Sequence, residues 1–146
     1  MAENILIVGA SRGIGLAVAE YYHDKVENLV CVSRNASKYG KWIEADISKQ
    51  EGIGKVVAAF DGKPLDALLF LGGTWEKGAF TSDYNFINSS YEEIDHVIAV
   101  NLIAPVKLTF MINIVFKKIS GAKSNFYRLI VRSGQSSNKR SSKYSF

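Results

Sequence analysis

Three glycines near the amino terminus have the spacing of a loop that can bind phosphate. The stretch VGASRGIG, residues 8–15, places Gly9, Gly13 and Gly15 in the pattern G-x-x-x-G-x-G. A glycine at the first position permits a tight turn. Glycines at the other two let backbone N–H groups approach a pyrophosphate and let a helix pack on a strand. The pattern predicts an anion-binding loop, and the alternative is a glycine-rich turn that binds nothing.

The segments around this loop alternate between strand and helix patterns. Apolar runs predict strands at 4–9, 29–34, 42–45, 65–73 and 126–131, and helical spacing predicts helices at 13–23, 51–60 and 90–119. The link NASKYGK, between the second and third strands, has room for one helical turn at most. Because the strands are nearly continuous in apolar residues and alternate with helices, the sequence predicts an α/β fold with a parallel sheet covered on both faces.

The longest predicted helix, 90–119, has recognisable signals along its length. Ser90 followed by Glu93 is the pattern of a capping box, and Pro105 predicts a kink. His96 is interpreted as a residue on the surface of this helix, with nothing nearby to make it a metal ligand. His23 is interpreted as a cation that is favoured near a helix end. The polar loop before the helix follows the fourth strand, where α/β proteins place substrate contacts.

Composition limits the class of protein. The 146 residues fit one domain, and Cys31 is the only cysteine, so no disulfide framework or cysteine-based metal site is expected. No run of 18 uninterrupted apolar residues occurs, and we expect no membrane span, no signal peptide and a cytoplasmic location. Residues 1–95 have a net charge of −5 and residues 96–146 of +9. The basic half lacks the aromatic and glycine pattern of nucleic-acid binding, so no nucleic-acid partner is expected.

Several segments together resemble the short-chain dehydrogenases/reductases. GASRGIG resembles the cofactor loop of that family, ADIS (residues 45–48) its acidic turn, and VNLIAP (residues 100–105) its helix with a catalytic asparagine. DALLFLGG is similar to the segment that carries the family's Asn-Asn-Ala-Gly, although only its last glycine matches. The resemblance covers residues 4 to about 137. It implies a Rossmann-like, doubly wound α/β/α fold, with about five parallel strands in the order 3-2-1-4-5, shortened after the fifth strand.

The resemblance also implies a nicotinamide cofactor and a set of residues that hold it. The second strand ends in Ser33, Arg34 and Asn35, where NAD-dependent enzymes place a carboxylate. Arg34 and Arg12 suit a 2′-phosphate, so NADP(H) is favoured over NAD(H). The alternative leaves Arg34 solvated and Arg12 packed over the adenine. The predicted cofactor residues are Gly9, Ser11, Arg12, Gly13, Ile14, Gly15, Ser33, Arg34, Asp46, Ile47, Gly72 and Gly73.

The chemistry implied by the resemblance is hydride transfer between the nicotinamide and a small carbonyl or alcohol substrate. The candidate catalytic residues are Asn101, Ser133 and Tyr144, although Asn101 could instead bond to helix backbone. The family's lysine would fall at position 148, beyond the last residue given. Tyr144 is therefore interpreted as part of a flexible Ser/Lys-rich tail, 133–146, following the dinucleotide-binding domain, 1–132. We expect NADP(H) binding with carbonyl reduction at background rate.

Two further interpretations remain open at the level of sequence. The chain is either an oxidoreductase of this family or a non-catalytic NADP(H)-binding or regulatory module that acts with a partner subunit. The helix 90–119 is the predicted surface for a homo-oligomer. No residue pattern indicates a metal site.

Overall fold

A computed structural model of the protein describes residues 4–60, 65–120 and 128–131. Its sheet is formed by the strands β1 (Asn4–Val8), β2 (Asn28–Ser33), β3 (Lys41–Glu44), β4 (Ala67–Phe70) and β5 (Arg128–Val131). All pairings are parallel and the order is β3-β2-β1-β4-β5. The central strands β1, β2 and β4 are almost entirely buried, as expected for a parallel sheet with two covered faces. The predicted doubly wound parallel sheet is confirmed.

Helices cover both faces of the sheet. These helices are α1 (Gly13–Tyr22), α2 (Gln50–Ala58), α3 (Tyr91–Ile98) and α4 (Ala104–Ser120), and a 3₁₀ turn spans Phe86–Asn88. Alternate β1 residues enter opposite cores. Leu6 and Val8 pack in the cluster that includes α2 and α4, whereas Ile5 and Ile7 pack in the cluster on the α1 side. The three-layer α/β/α arrangement follows directly from this alternation.

The predicted helix 90–119 is divided by a π-helical turn at Ala99–Ile103. Pro105 has no N–H with which to bond the carbonyl of Asn101, four residues earlier. Just before it, Ala104 donates its N–H to the carbonyl of Ala99, five residues earlier. A widened turn therefore precedes Pro105 and places Asn101 within the π segment, and the kink predicted at Pro105 stays a prediction.

The predicted capping box at the start of α3 is only half formed. The Ser90 hydroxyl accepts a hydrogen bond from the Glu93 N–H at 3.2 Å, as predicted. The Glu93 carboxylate does not return to Ser90 but accepts a hydrogen bond from the backbone N–H of Lys77. The prediction is wrong in this half, because a backbone donor from the preceding loop occupies the carboxylate.

The segment Tyr91–Ile114 is long and apolar enough to cross a membrane by length and composition alone, a test that core helices of soluble proteins also pass. Ala104, Leu108 and Ile112 are buried in the core. A second row of apolar side chains on the same segment is exposed, and it comprises Ile98, Leu102, Val106, Phe110 and Ile114. Burial of one face against the core accounts for part of the segment's apolar content, and the expectation of no membrane span stays a prediction.

Candidate cofactor site

The loop after β1 is closely packed against the loop after β4. Gly9 has φ +92, and a Cβ at this position would lie 2.4 Å from the Gly72 nitrogen. A Cβ at Gly15 would lie 1.9 Å from the carbonyl oxygen of Gly9. No side chain fits at either position, so these two glycines allow α1 to begin directly against the ends of β1 and β4. The predicted roles of Gly9 in the turn and of Gly15 in helix packing agree with this geometry.

The amino end of α1 has the features of an anion cradle. Gly13 has φ +56, and nothing lies within 4 Å of the place where its Cβ would stand. Arg12, at the N-cap position, makes no side-chain hydrogen bond to the first turn, which also contains no acidic residue. The first N–H groups of a helix lack partners within the helix. These groups, the helix dipole and the open space at Gly13 fit the pyrophosphate of a dinucleotide.

A cavity of about 320 Å³ lies at this edge of the sheet. Every predicted cofactor residue except Gly15 lines it, and Gly15 is buried beneath it. The cavity is also lined by residues that were not predicted, namely Val8, Val32, Asn35, Ala45, Leu71, Thr74, Trp75, His96 and Val100. Its position outside the carboxyl ends of β1, β2 and β4 is where open α/β sheets bind ligands.

His96 is exposed, as interpreted from the sequence, and it also lines the cavity. His96 and Val100 are four residues apart and both line the cavity, so one face of α3 forms part of its wall. Spacing of four residues indicates a shared face, but it does not show which way that face points. The position of Val8, Val32 and Ala45 at the cavity could have been predicted from the sequence, because ligands bind at the carboxyl ends of parallel strands.

The side of the cavity formed by β2 and β3 contains both hydroxyl and charged groups. Ser33 is buried and its hydroxyl donates to the Asn35 carbonyl at 2.7 Å. The Asp46 carboxylate accepts from the Ser48 hydroxyl at 2.7 Å and from the Ser48 N–H at 3.1 Å. The hydrogen bond from the Ser48 side chain is the main cause that lowers the pKa of Asp46, and the positive charge of Arg34 is a minor one. Asp46 is therefore an ionised, fixed group at the cavity wall.

A further close approach, which the sequence analysis missed, fixes Asp46. A Cβ at Gly52 in α2 would lie 2.0 Å from the Asp46 carbonyl oxygen. The signal was present in the sequence, because a glycine inside a helical pattern costs about 1 kcal/mol relative to alanine and usually has a packing reason.

Asn101 connects α3 and α4 to the loop that follows β4. Its Oδ1 accepts from the Thr74 N–H at 3.0 Å and its Nδ2 donates to the Thr74 carbonyl at 2.7 Å. The Asn101 side chain therefore forms hydrogen bonds with the backbone of another segment. The alternative given by the sequence was a hydrogen bond with the backbone of its own helix. A Cβ at Gly73 would lie 3.3 Å from Asn101 Oδ1, so the glycine gives this contact room. Asn101 fixes the cavity wall, and its catalytic role stays a prediction.

The other two candidate catalytic residues, Ser133 and Tyr144, lie outside the described residues. Strand β5 pairs with β4 in a register that matches Val131 with Phe70. The carboxyl end of β5 thus lies at the same edge of the sheet as the loop containing Gly72 and Thr74. Val131, the last residue of β5, precedes Ser133 by two residues in the sequence.

The geometry defines a Rossmann-like fold with a cavity at the carboxyl edge of its sheet, and comparison with known proteins gives the family. A sequence model described as "short chain dehydrogenase" matches residues 3–124. The chain belongs to the short-chain dehydrogenase family. A search of curated proteins found no match.

Solved structures of short-chain dehydrogenases share the fold. The protein from Leptospira borgpetersenii with bound NAD⁺ has a TM-score of 0.69 at 22% identity, over 80% of this chain and 46% of that one. A Brucella ovis oxidoreductase with partially ordered NAD has a TM-score of 0.67 at 27% identity, over 84% of this chain and 60% of that one. The Sphingobium yanoikuyae short-chain dehydrogenase with NADPH has a TM-score of 0.63 at 22% identity, over 79% of this chain and 48% of that one. The chain spans about half of the length of these structures.

Proposed function

We propose that this protein binds NADP(H) in the cavity at the carboxyl edge of its sheet and takes part in hydride transfer between the nicotinamide and a carbonyl or alcohol. The observation that carries the proposal is the amino end of α1. Its first turn has no side-chain cap, opens onto the cavity at Gly13, and follows a close-packed glycine turn. Related structures that contain NAD⁺ or NADPH support a nicotinamide dinucleotide as the ligand.

The preference for the phosphorylated cofactor rests on the charges around the cavity. Arg12 and Arg34 are exposed and line it, and no carboxylate directly follows Ser33 at the end of β2. The carboxylate of Asp46, at the neighbouring strand end, already accepts two hydrogen bonds from Ser48. A guanidinium binds a phosphate through two parallel hydrogen bonds, which a ribose hydroxyl does not offer.

Calorimetric titration with NADPH and NADH at low salt tests this preference. NADPH should bind more tightly, and Arg34→Asp should erase or reverse the difference, since one charged hydrogen-bonded contact is worth about a tenfold or larger change in Kd. Lys38→Asp is the matched control, because Lys38 is an exposed cation of the same link that does not line the cavity. Equal affinity of the unmutated protein for both cofactors would contradict the assignment.

The chemical step is a separate part of the proposal. A bound nicotinamide dinucleotide supplies the hydride, and the family resemblance assigns orientation of the substrate oxygen to Ser133 and proton transfer to Tyr144. The measurement is loss of NADPH absorbance with a panel of aldehydes and ketones. A rate that Tyr144→Phe abolishes would assign proton transfer to Tyr144. That result would overturn the sequence-based expectation of a background rate that this variant leaves unchanged. Tight NADPH binding without turnover of any substrate would contradict hydride transfer by this chain.

We also propose that the exposed apolar row on α3 and α4 packs against a second copy of the chain. Its members, Ile98, Leu102, Val106, Phe110 and Ile114, repeat every four residues and are more than two-fifths exposed. Sedimentation velocity of the unmutated protein and of Phe110→Glu tests this, and an unmutated protein that stays monomeric at high concentration would contradict it. A cytoplasmic location remains part of the proposal, supported by the single, buried Cys31, and cell fractionation would check it.

A further inference from the structure

The loop that follows β4 is attached to the helices on both sides of Trp75. Asn101 bonds both backbone groups of Thr74, immediately before Trp75. The Glu93 carboxylate accepts a hydrogen bond from the backbone N–H of Lys77, two residues after it. Two side chains, one from α3 and one from the π-helical turn, therefore fix the short stretch that carries this tryptophan.

The Trp75 side chain is exposed at the cavity. Its side chain lines the cavity and is 51% exposed, although a large aromatic ring is more often covered. One edge is supported by Phe80, whose ring lies 5.5 Å away at 73°. Phe80 is brought there by consecutive turns, in which Ala79 N–H donates to Glu76 O and Thr81 N–H donates to Gly78 O. The contact between Glu93 and Lys77 attaches these turns to α3.

We propose that Trp75 forms a contact wall for the bound dinucleotide and that Glu93 is a positioning residue that holds this wall in place. Two observations support the role of Glu93. Its carboxylate leaves the capping box that its spacing from Ser90 predicts and reaches a different segment instead. The turn it holds carries the ring that supports Trp75. A wall fixed before the ligand arrives lowers the ordering cost of binding. This inference rests on the proposed cofactor site.

The position of the wall is tested first without any nucleotide. Trp42 is the other tryptophan, so the variants are made in a Trp42→Phe background, and Trp75 emission and its quenching by acrylamide are measured. Glu93→Ala should shift the emission and increase quenching, because the loop loses its second attachment. Glu93→Gln should restore most of the parent behaviour, because its amide oxygen can still accept from Lys77 N–H. Asp95→Ala is the control, since residues two apart on a helix face different directions.

The second measurement is NADPH binding in a double-mutant cycle. Glu93→Ala and Trp75→Ala should each raise Kd about threefold to tenfold, the range for loss of one exposed charged hydrogen bond or one aromatic contact. The double variant should be no weaker than Trp75→Ala alone, because Glu93 acts through Trp75. Additive effects would overturn the positioning role.

The outcomes separate this inference from the proposed function. If the Trp42→Phe parent binds NADPH and Trp75→Ala binds it equally well, the wall is refuted while the cofactor site stands. If the parent binds no nicotinamide dinucleotide, both are refuted. If Glu93→Ala leaves both quenching and Kd at the parent values, Glu93 has no positioning role.

Discussion

The close backbone approach between Gly9 and Gly72 gives a sharp test of the structure, because the two glycines have opposite expected responses. A Cβ added to Gly9 would lie 2.4 Å from the Gly72 nitrogen and 2.5 Å from its Cα, and Gly9 also has φ +92. A Cβ added to Gly72 would meet Gly9 Cα at 3.5 Å, an ordinary van der Waals distance, without a positive φ. A methyl group at Gly9 would therefore overlap backbone atoms, whereas a methyl group at Gly72 would make only ordinary van der Waals contacts.

The expected magnitudes follow from these distances. Gly9→Ala places a non-glycine residue at positive φ, which costs about 1–2 kcal/mol. It also overpacks the contact with rigid backbone, which costs about 1–3 kcal/mol more. The free energy of unfolding should fall by about 2–5 kcal/mol, and nucleotide binding should weaken because the loop shifts. Gly72→Ala should be neutral or stabilising by up to about 1 kcal/mol, because it restricts only the unfolded chain.

Urea unfolding followed by circular dichroism measures both variants against the unmutated protein. Gly72→Ala is the matched control for Gly9→Ala, because it adds the same methyl group without a backbone clash. The reasoning would be refuted if Gly9→Ala cost less than about 0.5 kcal/mol, the range of an ordinary surface change, or if Gly72→Ala proved equally destabilising.

The remaining predictions concern the cradle, the asparagine and the acidic turn. Gly13→Val should abolish NADPH binding in calorimetry, because the added side chain would occupy the pyrophosphate path, and it should cost about 1–2 kcal/mol of stability because Gly13 has φ +56. Helix content by circular dichroism should be retained, because nothing lies within 4 Å of the added Cβ. Asn101→Asp keeps the acceptor for Thr74 N–H and loses the donor to its carbonyl, so hydrogen exchange at Thr74 should rise less than in Asn101→Ala. Asp46 has a lowered pKa, so its contribution to stability is complete above the ordinary carboxyl pKa and is lost as pH falls through the lower folded-state pKa. Ser48→Ala should therefore destabilise the protein near pH 7, with a difference that shrinks towards low pH in urea unfolding, whereas a pH-independent difference would contradict this origin.

The fold was predictable because its strongest signals are local. The runs in β1, β2 and β4 are apolar at every buried position except the strand ends Asn4 and Ser33, and such runs have few alternatives once helices alternate with them. The edge strand β3 is largely exposed, so its signal was weaker, and its observed start at Lys41 lies one residue before the predicted one. The glycine loop was predictable for the same reason, since its spacing encodes a turn and a helix start within eight residues.

The parts of the site that were missed depend on contacts between distant segments. Ser90 and Glu93 have the spacing of a reciprocal cap, and the local pattern cannot show that the N–H of Lys77, sixteen residues before Glu93, is nearer to the carboxylate. Trp75 belongs to a loop without periodicity, so its position on the cavity wall follows from attachments at Thr74 and Lys77. Both attachments pair a side chain with backbone, and backbone groups carry no residue-specific signal in a sequence.

The π-helical turn determines which residues of the segment 90–119 share one face. In a regular α-helix, residues four apart advance about 40° beyond a full turn, so a row at every fourth position drifts around the axis. The widened turn at Ala99–Ile103 rotates each residue by less than an α-helix does, which offsets part of this drift. As a result, the row that faces the cavity at His96 and Val100 continues into the row buried in the core at Leu108. A single helical period applied to 90–119 misplaces one end of this row. Because the π turn ends two residues before Pro105, the proline at which a kink was predicted also accounts for how α3 can face the cavity while α4 faces the core.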